Sequence, residues 1–210
     1  MIVVFDFDGT LIKDDSFILL LNFFKKNFFK KKLEEVLFLL YKKRLINNSI
    51  LKKFIFRFII KKININNYYQ IISEISRHII YNSLYNKKTI TSLIRHLNEG
   101  HRVLVISASP ELGIRVLLKN LIGSRITQLE VIGSKLKIDS SNYIIGLADN
   151  CHSNKKKEAL IARGINFIDI FYTDSIEDMP VALMSRKVYL VDRITGDLYE
   201  WKKEEIFPCS

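Results

Sequence analysis

Residues 1–11 read Met1-Ile2-Val3-Val4-Phe5-Asp6-Phe7-Asp8-Gly9-Thr10-Leu11. An apolar run from Ile2 to Phe5 passes at once into two aspartates two positions apart, followed by a glycine. Such a run reads as a strand buried on both faces that delivers polar side chains at its carboxyl end. The arrangement recurs downstream. Val103-Leu104-Val105-Ile106 leads into Ser107-Ala108-Ser109-Pro110, and Ile168 to Tyr172 leads into Thr173-Asp174-Ser175. Lys187 to Val191 is predicted as a further strand.

Helices are predicted between these strands. One spans 111–121, with Pro110 suited to its first turn, and another spans about 155–163, stopped by Gly164. Residues 127–147, punctuated by Gly133 and Gly146, are expected as a hairpin or short strands. Strands alternating with helices imply a parallel sheet covered on both faces. The expected class is therefore α/β with a Rossmann-like parallel sheet. Ligands in such folds sit at the carboxyl ends of the strands, where the three polar clusters would meet.

From about residue 16 to 98 the period changes. Leu20/Leu21, Phe23/Phe24, Phe28, Leu33, Val36/Leu37 and Leu40/Tyr41 recur at the three- and four-residue spacing of a helix. Ile50/Leu51, Phe54/Ile55 and Phe58/Ile59 continue it, and 68–98 reads as two further helices ending at Gly100. The expected organisation is a core of residues 1–15 and 99–210, interrupted by an all-helical cap of residues 16–98.

Composition narrows the function classes. The 210 residues are 48% hydrophobic and 26% charged, with 8 Gly and 3 Pro, a globular balance without long flexible linkers. Two cysteines, Cys151 and Cys209, form no disulfide framework and fit a reducing compartment. Residues 2–5 read as a strand of the fold and not as a signal peptide, so the expected location is cytoplasmic, with the membrane surface as a peripheral alternative. The formal charge of +11 is concentrated. Residues 25–62 hold thirteen Lys and Arg against Glu34 and Glu35, which accounts for all of it. No apolar stretch reaches the roughly 18 residues of a membrane span. The interleaving of Lys with Phe, Leu and Ile over 17–62 fits contact with an anionic membrane, at on the order of 1 kcal/mol per basic residue. The competing reading is a solvated face of biased composition. Nucleic acid is not an expected partner, because no recognised binding motif accompanies the charge.

The polar clusters suit phosphate-ester hydrolysis. Of Asp6 and Asp8, one carboxylate can attack phosphorus while the other protonates the leaving oxygen and later activates water. Gly9 permits close approach of backbone amides to phosphate. Ser107 offers a hydroxyl to a phosphoryl oxygen, and a lysine among Lys155, Lys156 and Lys157 can neutralise the transferring group. Asp174 and Asp178 add carboxylates of the kind Mg²⁺ prefers. Ser109 reads as a cap for the helix behind Pro110 and Cys151 as a small buried apolar residue. His78, His96, His101 and His152 show no metal-ligand spacing and are expected on the surface or in the core.

Asp6-Phe-Asp-Gly-Thr-Leu11, a strand ending in Ser107, a lysine, and Asp174-Ser-Ile-Glu-Asp178 resemble, in order, the four motifs of the haloacid dehalogenase-like superfamily. Val105-Ile-Ser-Ala-Ser-Pro-Glu111 and the insertion after the first motif resemble its phosphoserine phosphatase-like group, with a helical cap. In that group's third motif a cysteine stands five residues before the lysine, as Cys151 stands before Lys156. The resemblance implies a magnesium-dependent phosphatase with Asp6 as nucleophile and Asp8 as general acid/base. Mg²⁺ would be held by Asp6, the main-chain carbonyl of Asp8, and Asp174, with Asp178 supporting metal or lysine. Ser107 and Lys156 would hold phosphate. Asp15, nine residues past the nucleophile, matches a position that faces the substrate, and it also reads as a helix cap.

Val188-Tyr-Leu-Val-Asp-Arg-Ile-Thr-Gly-Asp-Leu198 resembles the closing strand and turn of the phosphatidylglycerophosphatase C type, which implies a lipid headgroup among the candidate phosphorylated substrates. A phosphotransferase or mutase with the same nucleophile, and a non-catalytic module binding anionic surfaces, are the competing functions.

Overall fold

The computed structural model describes residues 1–24, 28–43, 45–46, 50–51, 54–55, 60 and 63–202. Its centre is β1 (Ile2–Asp6), flanked by β3 (Arg102–Pro110) and β7 (Ile168–Thr173). With β4 (Leu129–Ser134), β8 (Ser185–Val191) and β9 (Leu198–Glu200) these form one sheet in the order β4-β3-β1-β7-β8-β9. Every neighbouring pair is parallel except β8 and β9.

The period of two along the strands sorts residues between two cores. Val3, Phe5, Val103 and Val105 face one, while Val4, Leu104 and Ile106 face the other. All are buried, which is why these strands read as unbroken apolar runs. Helices α4 (Lys87–Asn98) and α5 (Glu111–Ile122) cover the first face through Ile90, Leu93, Leu97, Ile114, Leu117 and Leu118. Helices α6 (Asn154–Ile161) and α7 (Met179–Ala182) cover the second through Leu160, Val181 and Ala182. Each such side chain contributes about 1.5–3 kcal/mol on full burial.

The main sheet matches the expected α/β class, with three refinements. First, β3 runs past Ile106 to Pro110, and its register against β4 shifts between those two residues. An irregularity of this kind re-aims side chains next to a site. Second, only β5 (Leu136–Ile138) and β6 (Tyr143–Leu147) form the hairpin expected over 127–147, while β4 joins the main sheet. Third, the stretch expected to be all helical contains a strand, β2 (Ile63–Asn64), paired antiparallel to β6.

Before β2 lie α1 (Ser16–Phe24) and α2 (Phe28–Lys42), and after it α3 (Ile65–Tyr81). Helix α4 packs on β3, because Ile90, Leu93 and Leu97 recur on one helical face and join the main core. The helical period expected at Phe58 and Ile59 lies outside the described residues. So do Lys25, Lys26, Arg44, Lys52, Lys53, Arg57, Lys61 and Lys62. No helix among the described residues is long and apolar enough to cross a membrane.

Candidate active site

Four strand ends and the loops behind them enclose a cavity of about 440 Å³. Asp6, Asp8, Asp15, Ser107, Lys156, Asp174 and Asp178 all line it. Asp6 ends β1, which pairs in parallel with the strands ending near Ser107 and Asp174. Three segments distant in sequence therefore meet through strand register.

Gly9 lies in the loop behind Asp6 with φ near +80°, and a Cβ there would collide with Asp174 and with Arg193. The loop is pinned by Asn86, whose buried amide donates to the carbonyls of Gly9 (3.1 Å) and Thr10 (3.0 Å). Its main-chain N–H donates to Leu11 O at 2.9 Å. Thr10 Oγ1 in turn donates to Asp174 Oδ1 at 3.1 Å.

Of the three lysines Lys155, Lys156 and Lys157, only Lys156, in the first turns of α6, is buried. Its ammonium is buried and donates to Asp6 Oδ1 at 2.7 Å and to both oxygens of Asp178, at 2.7 and 2.8 Å. Lys155 is exposed and pairs with Glu158 across the helix surface. Asp178 accepts a further bond from Thr173 Oγ1 at 2.8 Å. Its carboxylate oxygens thus face Lys156 and Thr173.

Asp8 is held by three donors: Ser107 Oγ at 2.9 Å, Ser109 Oγ at 2.7 Å and the Ser16 N–H at 2.8 Å. Ser109 is therefore not the helix cap expected from sequence. The register shift in β3 turns its hydroxyl onto Asp8, and Pro110 caps α5 without a side-chain bond. Asp15 does cap: its Oδ1 accepts from Phe17 N at 2.8 Å and Ile18 N at 3.1 Å while its residue lines the cavity.

Electrostatics favour a bound dication. Burial raises the Asp6 carboxyl well above its ordinary range, opposed by Lys156 and reinforced by Asp178 and Asp174. Burial likewise raises Asp174, opposed by Arg193 and Thr10, and the Asp174 carboxyl is close enough to hydrogen-bond Asp6. Burial would lower Lys156, but Asp6 and Asp178 reverse this and leave it raised, so it stays charged. Asp6, Asp174 and Asp178 are three acids facing two cations, Lys156 and Arg193, and their carboxylates are hard oxygen donors. This donor set fits Mg²⁺.

A protein-family model described as haloacid dehalogenase-like hydrolase matches residues 3–183. The chain belongs to that family. No curated protein matches the sequence. Among solved structures, a Bordetella pertussis Tohama I protein of unknown function superposes with a TM-score of 0.66 at 16% identity, covering 86% of this chain and 84% of that one. A phosphoserine phosphohydrolase-like protein from Francisella tularensis gives 0.56 at 20% identity, over 89% and 84%. A substrate-bound phosphoserine phosphatase gives 0.58 at 13% identity, over 89% and 83%. At these identities the likeness is one of fold.

For this haloacid dehalogenase-like hydrolase, sequence reading passed over several residues at the site. Arg193 Nε lies 2.8 Å from Asp174 Oδ2, at the rim of the cavity. His152 Nε2 lies 3.2 Å from Glu177 Oε2 beside it. Neither has a motif that singles it out. Asn86, Thr10 and Thr173 act through main chain or carboxylates, and only the position of Thr10 inside the first motif could have flagged it. Cys151 is buried as expected, in the second core, where burial pushes its thiol up to about 11.

Proposed function

We propose that the chain hydrolyses phosphomonoesters through a phosphorylated Asp6, with Mg²⁺ as cofactor. The observation that carries this reading is the buried Lys156 ammonium held between Asp6 and Asp178, within one cavity that Asp8, Ser107 and Asp174 also line. The Asp6 carboxylate attacks phosphorus and the bond from phosphorus to the leaving oxygen breaks. Asp8 gives its proton to that oxygen. Asp8 then takes a proton from water, the water oxygen attacks phosphorus, and the bond to Asp6 breaks to free phosphate. Ser107 and Lys156 hold phosphoryl oxygens, and Gly9 leaves room for the loop to approach. Asp6, Asp174 and the main-chain carbonyl of Asp8 would hold the metal, which when bound neutralises charge on the phosphoryl group.

Asp15, at the cavity wall, is assigned to the substrate side. The part of the substrate beyond the phosphate is a small polar molecule or a lipid headgroup. Residues 16–86 act as a cap over a core of 1–15 and 87–210, because α4 (Lys87–Asn98), which the expected cap of 16–98 included, packs on β3. The lipid alternative draws support from exposed Val36, Leu39 and Leu45 in the Lys-rich segment, where peripheral contact with anionic lipid would occur.

Release of inorganic phosphate tests the reading. The panel runs from an aryl phosphate through phosphoserine and sugar phosphates to phosphatidylglycerophosphate in mixed micelles. Activity that requires Mg²⁺ and disappears in Asp6→Asn is expected. Full activity in Asp6→Asn, or in excess chelator, would sink it. Transfer of the phosphoryl group to an added alcohol in preference to water would favour a transferase.

A further inference from the structure

Away from the cavity, α4 and β3 meet across a short turn at the amino end of the sheet. His96 lies in the last turn of α4 and is 1% exposed. Gly100, with φ of 72°, reverses the chain so that the His101 N–H donates to His96 O at 3.1 Å. This stop in the helix brings three side chains to one point. The Nδ1 atoms of His96 and His101 are 3.0 Å apart, and Glu99 Oε2 lies 3.6 Å from the first and 3.4 Å from the second. Among the described residues, this is the group of three His, Cys, Asp or Glu side chains whose ligand atoms converge.

Those separations have a physical reading. Zinc bonds of about 2.0–2.2 Å in a tetrahedron place neighbouring ligand atoms about 3.3–3.6 Å apart. The three distances fall on or near that edge length, so one ion could touch all three atoms and keep a fourth position open. Two Nδ1 atoms at 3.0 Å also need a shared proton between them, which a metal can replace. His96 Nε2 faces the Tyr172 hydroxyl at 3.3 Å, an outer partner that orients the ring.

Burial, then Arg95 and His101, push His96 below its ordinary pKa, so the ring is neutral and able to ligate. Arg95 Nη2, 3.4 Å from His96 Nε2, is a charge that opposes a cation, and the Glu99 carboxylate offsets it from the other side. Solvent reaches the group through Glu99, whose side chain is 44% exposed.

We propose that His96, Glu99 and His101 form a second metal site, for a divalent transition ion of the zinc class. It is separate from the carboxylate cavity and differs from it in donor chemistry, two nitrogens and one oxygen against oxygens alone. That difference supplies the test. The folded protein is titrated with Co²⁺ in excess Mg²⁺, which keeps the carboxylates loaded. One equivalent should develop the visible absorption of tetrahedral cobalt, and Zn²⁺ should bleach it.

His101→Asn should abolish the band and Glu99→Gln should weaken binding at least tenfold, whereas Asp174→Asn should keep it. These two positions are chosen because His96 packs against Phe5 and Tyr172, and its replacement could prevent folding. A band of equal strength in wild type and His101→Asn would overturn the proposal. So would a wild type that develops no band at millimolar Co²⁺, which would leave the two histidines as a shared-proton pair. Neither result bears on phosphate release.

Discussion

At the carboxyl end of the sheet a buried lysine sits between Asp6 and Asp178, residues that lie 150 and 22 positions from it in sequence. At the amino end, two imidazoles and one carboxylate come together within six consecutive residues. The first cluster exists only when β1, β7 and α6 are docked. The second needs only a helix that stops and a glycine that turns. Long-range assembly lets the first bury its charges, at a desolvation cost that makes each partner indispensable to the others. Local assembly leaves the second open to solvent at Glu99, while His96 stays buried against Phe5 and Tyr172.

The largest expected effect is on chemistry at the carboxyl end. Asp6→Asn should lower phosphate release by on the order of 10³-fold or more, while Glu99→Gln leaves it unchanged. Equal losses in both would erase the distinction between the two ends. Next comes Lys156→Ala, which strands two buried carboxylates and should cost about 3–5 kcal/mol of stability in denaturant titrations. The exposed neighbour Lys155→Ala should cost under about 1 kcal/mol. A reversal of that order would move the phosphate lysine to the other position.

Gly9→Ala should cost about 1–3 kcal/mol, because the residue sits at positive φ and its new methyl meets Asp174 and Arg193. Phosphate release should fall with it, and a variant as active as wild type would remove Gly9 from the site. The smallest effect concerns Cys151, probed in a Cys209→Ser background. With its folded-state pKa raised to about 11, the thiol is protonated at neutral pH and becomes thiolate only as pH approaches that value. Alkylation should be negligible at neutral pH in the folded protein and fast once it is unfolded. Rapid labelling of the folded protein would show that this core opens.

Much of the carboxyl-end cluster was legible because each member follows a buried strand. Asp6, Ser107 and Asp174 stand where apolar runs stop, and a parallel sheet gathers such stops on one edge. Residues with no such marker stayed hidden. Ser109 looked like a cap because the register shift in β3 has no sequence signature. Asn86 sits 77 residues from the glycine carbonyl it holds, in a helix start of ordinary appearance. Arg193 lies within the stretch 188–198, whose resemblance gave that residue no role of its own. The histidines were passed over because their spacing follows no common ligand pattern. The turn at Gly100, not periodicity, closes the distance.

By itself the sequence determined the strand–helix alternation, the parallel sheet, and the residues at its carboxyl edge, since hydrophobic periodicity and chain order are local properties. It also located the whole +11 in residues 25–62. Tertiary structure decided which of three lysines is buried, which way Asp178 and Ser109 turn, that α4 belongs to the sheet's own helix layer, and that three side chains converge at Glu99. Those outcomes depend on which surfaces exclude water and on distances between atoms far apart in the chain. Neither is written in local pattern; both follow only when the chain is packed.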